Sequence, residues 1–336
     1  MTALGSYLTT YLGTDRLACM DVGAAGGVHG LWRPYGEVIE VDAFEPNAAA
    51  CAYAAEHSEP YVKWFPVALG GHTGTQKFYV LNAPSGSSFY PPNDDEQRFF
   101  NDSHYRGIDR VVDIETITVA DFLRQHARPA PNLLKLDTQG SELDILRTLD
   151  DEHWDAVLTI EVEVEFIELY RGQPLFRDVD DYLRERGMLL FDLRTAREYC
   201  SAHDTTGYYT RKHLNFAVGR NDLSARLYAG DALYVRDFIT RPVSDRGLLL
   251  KLVAAMMIYS FFDYALYLVD DGHARGILGA SEHATLMNEI VTCAPRPRTW
   301  ERADEIGDKA RRLMASHRVD DTTYQAFWMI RNWPNQ

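Results

Sequence analysis

Over the first two-thirds of the chain, short apolar runs alternate with stretches of helical spacing. Leu17 to Val22 reads as a strand and runs into Gly23-Ala-Ala-Gly-Gly27. Val38 to Glu45 reads as a second strand, ended by Pro46, and Asn47 can cap an Ala-rich helix through about Glu56. Val62 to Leu69 is expected to be a third strand, and Gln76 to Leu81 a hairpin arm before a polar loop, Ala83 to Asp95. Val111 to Ile117, Leu133 to Leu136, Val157 to Val164, Met188 to Leu193 and Leu214 to Val218 complete the strands. Helices are expected over Val119 to His126, Ser141 to Leu149 and Phe176 to Arg186, the last stopping at Gly187. Strands that alternate with helices predict an α/β fold: a doubly wound, mostly parallel Rossmann-like sheet covered on both faces.

From about Arg220 the texture changes. Apolar residues recur at helical spacing through 232–240, 247–270, 281–293, 300–317 and 320–332. This predicts a division into residues 1–220 and an appended helical region, 221–336, for substrate binding or oligomerisation. The stretch 248–269 is the most apolar, but Lys251, Ser260 and Asp263 interrupt it. A spanning helix needs about 20 residues nearly free of charge. The expectation is therefore no transmembrane span, but a helix that packs internally or joins a homodimer.

Charge narrows the partners. Against 34 Lys and Arg stand 49 Asp and Glu, a net charge of −15. Such a chain repels phosphate backbones, which argues against nucleic acid. Cys19, Cys51, Cys200 and Cys293 form neither a C-x-x-C pair nor a disulfide framework. Reduced thiols, and a first 20 residues without the pattern of a secretory leader, predict a cytoplasmic protein.

Four groups of residues carry candidate chemistry. The turn Asp21-Val-Gly23-Ala24-Ala-Gly26-Gly27 follows the first strand, and its glycines let the backbone come close to a ligand. Glu45 ends the second strand 22 residues after Gly23, where a carboxylate can bind ribose hydroxyls. Together they favour an adenosine-containing cofactor, although the glycine spacing is not the G-x-G-x-x-G of dinucleotide enzymes. Asp137 stands at the carboxyl end of a central strand, in Lys135-Leu-Asp-Thr-Gln-Gly140-Ser-Glu142, either facing a ligand or capping the next helix. Glu142 reads as a complement to the dipole of that helix. Glu161, Glu163 and Glu165 alternate onto one strand face, which must then meet solvent, a cation or a cationic ligand. With Asp137 they form either an acidic rim or a divalent-metal site.

In their order along the chain, these motifs resemble the FkbM family of S-adenosylmethionine-dependent methyltransferases. The resemblance covers about residues 15–220. It rests on Asp21–Gly27, Phe44-Glu45-Pro46-Asn47, Pro66–Gly70, Leu134–Glu142 and Glu161 through Leu169-Tyr170-Arg171-Gly172. It implies a methyltransferase-type sheet and O-methylation of a sugar, glycan or secondary metabolite. By position, Asp21, Gly23, Ala24 and Gly26 would line the methionine end of the cofactor. Glu45 and Pro46 would flank the ribose, and Ala68 and Leu69 the adenine. Asp137 would face the sulfonium and the incoming hydroxyl, as catalytic base together with Glu161. Thr138-Gln139 stands where the family often has Val-Glu, which weakens the metal reading.

Ser87 and Ser88 in the polar loop, and Tyr105 beyond it, are the candidate substrate-binding residues; His72 and His104 are outside candidates for the base. Tyr208-x-x-x-Lys212 has the spacing of short-chain reductases but precedes a predicted strand, and reads as chance. The competing functions are an NAD-dependent oxidoreductase and a non-catalytic binding protein on the same fold.

Overall fold

The computed structural model describes residues 3–24, 27–97, 107–198 and 226–294. The expected strand at 214–218, the helices at 300–317 and 320–332, and Gly26, His104, Tyr105, Cys200, Tyr208 and Lys212 lie outside them.

The main sheet has seven strands in the order β3-β2-β1-β7-β8-β10-β9. They are β1 (Leu17–Val22), β2 (Ile39–Phe44), β3 (Val62–Phe65), β7 (Leu133–Leu136), β8 (Thr159–Glu165), β9 (Met188–Glu198) and β10 (Arg226–Arg236). All neighbouring pairs are parallel except those of β10, which runs antiparallel to both β8 and β9. The chain moves outward from β1 to β2 and β3, then crosses back to β7 on the other side of β1. That reversal opens a crevice at the carboxyl ends of β1 and β7, the place where open α/β sheets bind ligands. A second sheet, β4-β6-β5, is built from β4 (Ala68–Leu69), β5 (Gly74–Leu81) and β6 (Ile108–Ile117).

Two expectations about elements are corrected. Val62 to Leu69 is not one strand: β3 belongs to the main sheet and β4 to the second. Pro66 separates them, since proline offers no N–H to a ladder. The stretch 232–240 is not helical. Ala232 and Tyr234 are buried in one core cluster and Leu233 and Val235 in the other, so β10 is apolar on both faces. A short continuous apolar run does not reveal its period. The main sheet thus extends past residue 220, and the helical part begins at Arg246.

Each face of the sheet has its own core. On one side α4 (Val119–Gln125), α5 (Glu142–Leu146) and α7 (Phe176–Glu185) cover Met20, Val22, Leu134, Leu136, Ile160 and Val162. The other side holds Leu17, Cys19, Ile39, Val41, Leu133, Leu233 and Val235. There the described part of the link from β1 to β2 supplies a 3-10 turn, Arg33–Tyr35, with Val28, Trp32 and Val38 buried around it, and α2 (Ala48–Glu56) buries only Cys51. The helical cover comes from α1 (Ala3–Leu12) and from α8 (Arg246–Ile258), α9 (Phe262–Ala274) and α10 (Ala280–Cys293). Nine residues of α8, Leu249, Leu250 and Leu252–Ile258, are buried, as expected of a helix that is apolar all round. Lys251 escapes this burial by pairing with Asp15 at 2.7 Å. The apolar stretch breaks between α8 and α9, where Ser260 takes φ +67°. No helix among the described residues is long and apolar enough to cross a membrane.

Candidate active site

Strand register brings the site together. Asp21 on β1 pairs with Lys135 on β7, and Lys135 pairs with Glu161 on β8. The row therefore reads acid, base, acid across three strands, on the face covered by α8. Two residues further along, Asp137 follows β7, and Glu163 stands on β8 opposite Asp231 of β10.

The first row is compensated. Lys135 Nζ lies 3.1 Å from Asp137 Oδ2 and 3.8 Å from Asp21 Oδ1. Burial works against the Lys135 charge, but Asp137 and Asp21 outweigh it and hold its pKa above the ordinary value. Asp21 is fully buried and accepts the His29 backbone N–H at 2.7 Å. Burial pushes its carboxyl up, against the pull of Lys135. Among the described residues its Oδ1 has no hydrogen-bond donor. Glu161 is also buried and pairs with Arg194 of β9. His29 Nε2 lies 3.2 Å from Glu161 Oε2, within ion-pair reach but not aligned as a hydrogen bond. Burial raises the Glu161 carboxyl, yet His29 and Arg194 overcome it and hold the group below its usual range. Spent on these two partners, Glu161 is poorly suited to be a base.

The cofactor candidates occupy strand ends. Gly23 turns out of β1 at φ +88°, and a Cβ there would stand 2.0 Å from the Asp137 carbonyl oxygen. This turn therefore requires glycine. Ala24 is buried and donates its N–H to Phe44 O at 3.1 Å, tying the turn to β2. Glu45 accepts the Asn47 N–H at 2.7 Å, and burial raises its carboxyl. Pro46 lies between Glu45 and Asn47, whose side chain caps α2 as expected. Ala68 and Leu69 are buried in β4.

The turn after β7 holds residues whose roles the motif alone does not reveal. Glu142 ties the turn to the start of α5 by accepting the Thr138 and Gly140 N–H groups at 2.6 and 2.9 Å. Burial still raises it to about 7. Asp137 does not cap that helix, and its side chain is 38% exposed. Gln139 sits in the left-handed region, φ +59°. Its Nε2 donates to Asp137 Oδ1 at 3.2 Å and to Glu163 Oε2 at 2.7 Å. Tyr170 places its hydroxyl 2.9 Å from Gln139 Oε1 and 2.8 Å from Gly86 O.

The polar loop is fastened to this turn. Ser88 is buried and donates to Gln139 O at 2.6 Å, while Ser87 Oγ accepts the Leu81 N–H at 3.1 Å. Both hydroxyls are engaged within the protein, so Ser88 anchors the loop rather than presenting its hydroxyl to an acceptor. Arg171 N–H and Pro91 O, 2.8 Å apart, make a further staple. The Tyr170-Arg-Gly stretch thereby acquires a physical role, which is to hold the loop over the carboxyl ends. His72 lies at the start of β5, in the second sheet, with its carbonyl accepting Thr116 Oγ1. Among the described residues no His, Cys, Asp and Glu group is arranged to hold a metal.

Lys135, His29, Gln139 and Arg194 are residues of the candidate site without a role in the sequence reading. Lys135 was legible in principle, since its alternation with Asp137 puts both on one strand face. The others depend on register and turn geometry.

The class of protein follows from the sheet order, the glycine turn and the acids gathered at the switch point. The Methyltransferase FkbM domain model matches residues 21–190, and the chain belongs to the FkbM methyltransferase family. It is similar to Methyltransferase sdnD of Sordaria araneosa, 28% identical over an alignment of 171 residues that covers 43% of this chain and 64% of that protein. It is also similar to Methyltransferase 1 of Beauveria bassiana (strain ARSEF 2860), 43% identical over 54 residues, 16% of this chain and 22% of that protein. In both cases the chain spans less than two-thirds of the relative's length. An FkbM methyltransferase structure from Methylobacillus flagellatus KT shares 12% identity at a TM-score of 0.34, covering 68% of this chain and 47% of the other.

Proposed function

We propose that the protein transfers a methyl group from S-adenosylmethionine to a hydroxyl of a sugar, glycan or secondary metabolite. The observation that carries this reading is the buried Asp21 Oδ1, an acceptor without a hydrogen-bond donor among the described residues, beside the Gly23 turn. It fits the amino group of the cofactor's methionine end. Glu45, buried at the end of β2, fits a ribose diol, with Pro46 fixing the turn beside it. Gly23 and Ala24 bring the backbone close, and Ala68 and Leu69 offer an apolar border for adenine.

When bound, S-adenosylmethionine supplies an electrophilic methyl on a sulfonium, whose carbon–sulfur electron pair stays on sulfur as the new carbon–oxygen bond forms. Asp137 receives the proton that the acceptor hydroxyl gives up, and Lys135 holds its carboxylate in place. The acids at these strand ends favour a cationic cofactor over its neutral product, which helps release. The loop anchored by Ser88 and Tyr170 covers the acceptor side. In this reading α8 and α9 buttress the cofactor half: Trp32 Nε1 donates to Tyr259 Oη, just after α8, at 3.3 Å, and the Trp32 ring meets His29 edge-on.

Calorimetric titration with S-adenosylmethionine, S-adenosylhomocysteine and NAD tests the reading. Saturable binding of the first two, weakened at least about tenfold in Glu45→Ala, is expected, because a buried charged hydrogen bond is worth about 1.5–3 kcal/mol. Binding of NAD alone, or of none of the three, sinks it.

A further inference from the structure

Alternation along β8 puts Glu161, Glu163 and Glu165 on one face, but the three carboxyls have different surroundings. Glu161 has Arg194 and His29. Glu163 has no salt bridge among the described residues: it lies opposite Asp231 of β10, beside Glu165 on its own strand, and faces Asp137 and Glu142. The cations of this face pair with other groups, Lys135 with Asp137 and Arg194 with Glu161. Asp137 and Glu163 lie side by side, and the neutral Gln139 amide bridges them with one N–H for each carboxyl. Gln139 holds this position from a left-handed backbone that a non-glycine residue adopts at a cost. Ser88 on its carbonyl oxygen and Tyr170 on its side-chain oxygen fix it there.

We propose that Gln139 and Glu163 are positioning residues for the transfer: Gln139 clamps the Asp137 and Glu163 carboxyls together as a pair holding one proton, kept on Glu163, so that Asp137 meets the acceptor as the carboxylate. Two carboxyls on one donor cannot both ionise freely, and the member without a cation beside it keeps the proton. Lys135 stands beside Asp137, whereas burial together with Asp137, Glu165 and Glu142 pushes the Glu163 carboxyl well above the usual range. Asp137, partly exposed and held by Lys135, is the member that can take a proton from a hydroxyl. The anchored loop then has a second use, because Ser88 and Tyr170 set the amide that sets the base. The inference rests on the methyltransferase reading for what the pair does, but not for whether the pair exists.

The test reads the Glu163 side-chain carboxyl directly, by carbon-13 NMR titration of the full-length protein, with its signal assigned by its loss in Glu163→Gln. The expected midpoint lies well above the ordinary glutamate value of about 4.3. Asp137→Asn should lower it by about one pH unit, since a neighbouring negative charge is removed. In a Gln139→Ala background that response should largely vanish, because the clamp is gone. An ordinary midpoint, or no response to Asp137→Asn, overturns the one-proton pair. A response undiminished without Gln139 overturns the clamp. Calorimetry with S-adenosylmethionine on the same wild-type samples separates the two claims. A perturbed Glu163 without cofactor binding keeps the pair and overturns the methyltransferase reading, and binding with an ordinary Glu163 does the reverse.

Discussion

At the scale of single residues, the site carries more acid than its cations neutralise, and this has a consequence for stability. Glu165 is buried on β8, and burial, Glu142 and Asp137 push its carboxyl well above 4.5. A carboxyl whose pKa is raised on folding contributes stability that is complete below its unfolded value and is lost as pH rises through the folded one. Each unit of such a shift is worth about 1.4 kcal/mol at pH above it. Glu165→Gln keeps the shape without the charge. It should melt with the wild type at pH 4 and above it at pH 8, by about 2–4 °C per kcal/mol recovered. Equal melting temperatures at pH 8 in scanning calorimetry would show that Glu165 ionises without cost. At this scale the sequence was half legible. Asp21, Glu45 and Asp137 declared themselves by residue type at strand ends. Alternation grouped Glu161 with Glu163, but only register reveals that one has an arginine and the other an amide.

At the scale of elements, α8 takes one of the two roles its apolar residues suggested: it packs internally, and the surface it covers is the central strands of the main sheet. It can do so because the described part of the β1–β2 link holds no α-helix, only the short 3-10 turn Arg33–Tyr35, which leaves room on that face. Leu252 is fully buried there, so Leu252→Ala should cost about 2–5 kcal/mol. Denaturant unfolding that reports on Trp32, in the same core, should show the loss as one shifted transition. An unchanged midpoint would mean that α8 is a separate unit. Strands β1, β2 and β7 were legible because each is apolar and ends at a turn residue or an acid. Strand β10 was not, since being buried on both faces erases the alternation that marks a strand.

At the scale of the whole molecule, the crevice and the C-terminal helices are parts of one packed unit. Asp21 and Lys135 stand on strands whose apolar neighbours, Leu17, Cys19 and Leu133, pack in the core shared with α8, α9 and α10. The end of α8 reaches the site again through Tyr259 and Trp32. Under the proposed function, a ligand at the switch point should therefore stabilise residues far along the chain. At about 100 times its dissociation constant, S-adenosylmethionine adds about 2.7 kcal/mol to the folded state. If the unit opens cooperatively, amide hydrogen exchange should slow in α8 and α9 by the same factor as in β1 and β7. Exchange that slows in β1 and β7 alone would separate the helices energetically from the sheet they cover. Equal slowing would explain why a crevice at the ends of β1 and β7 depends on residues 246–274: much of the face beneath it is closed by chain that arrives a hundred residues later.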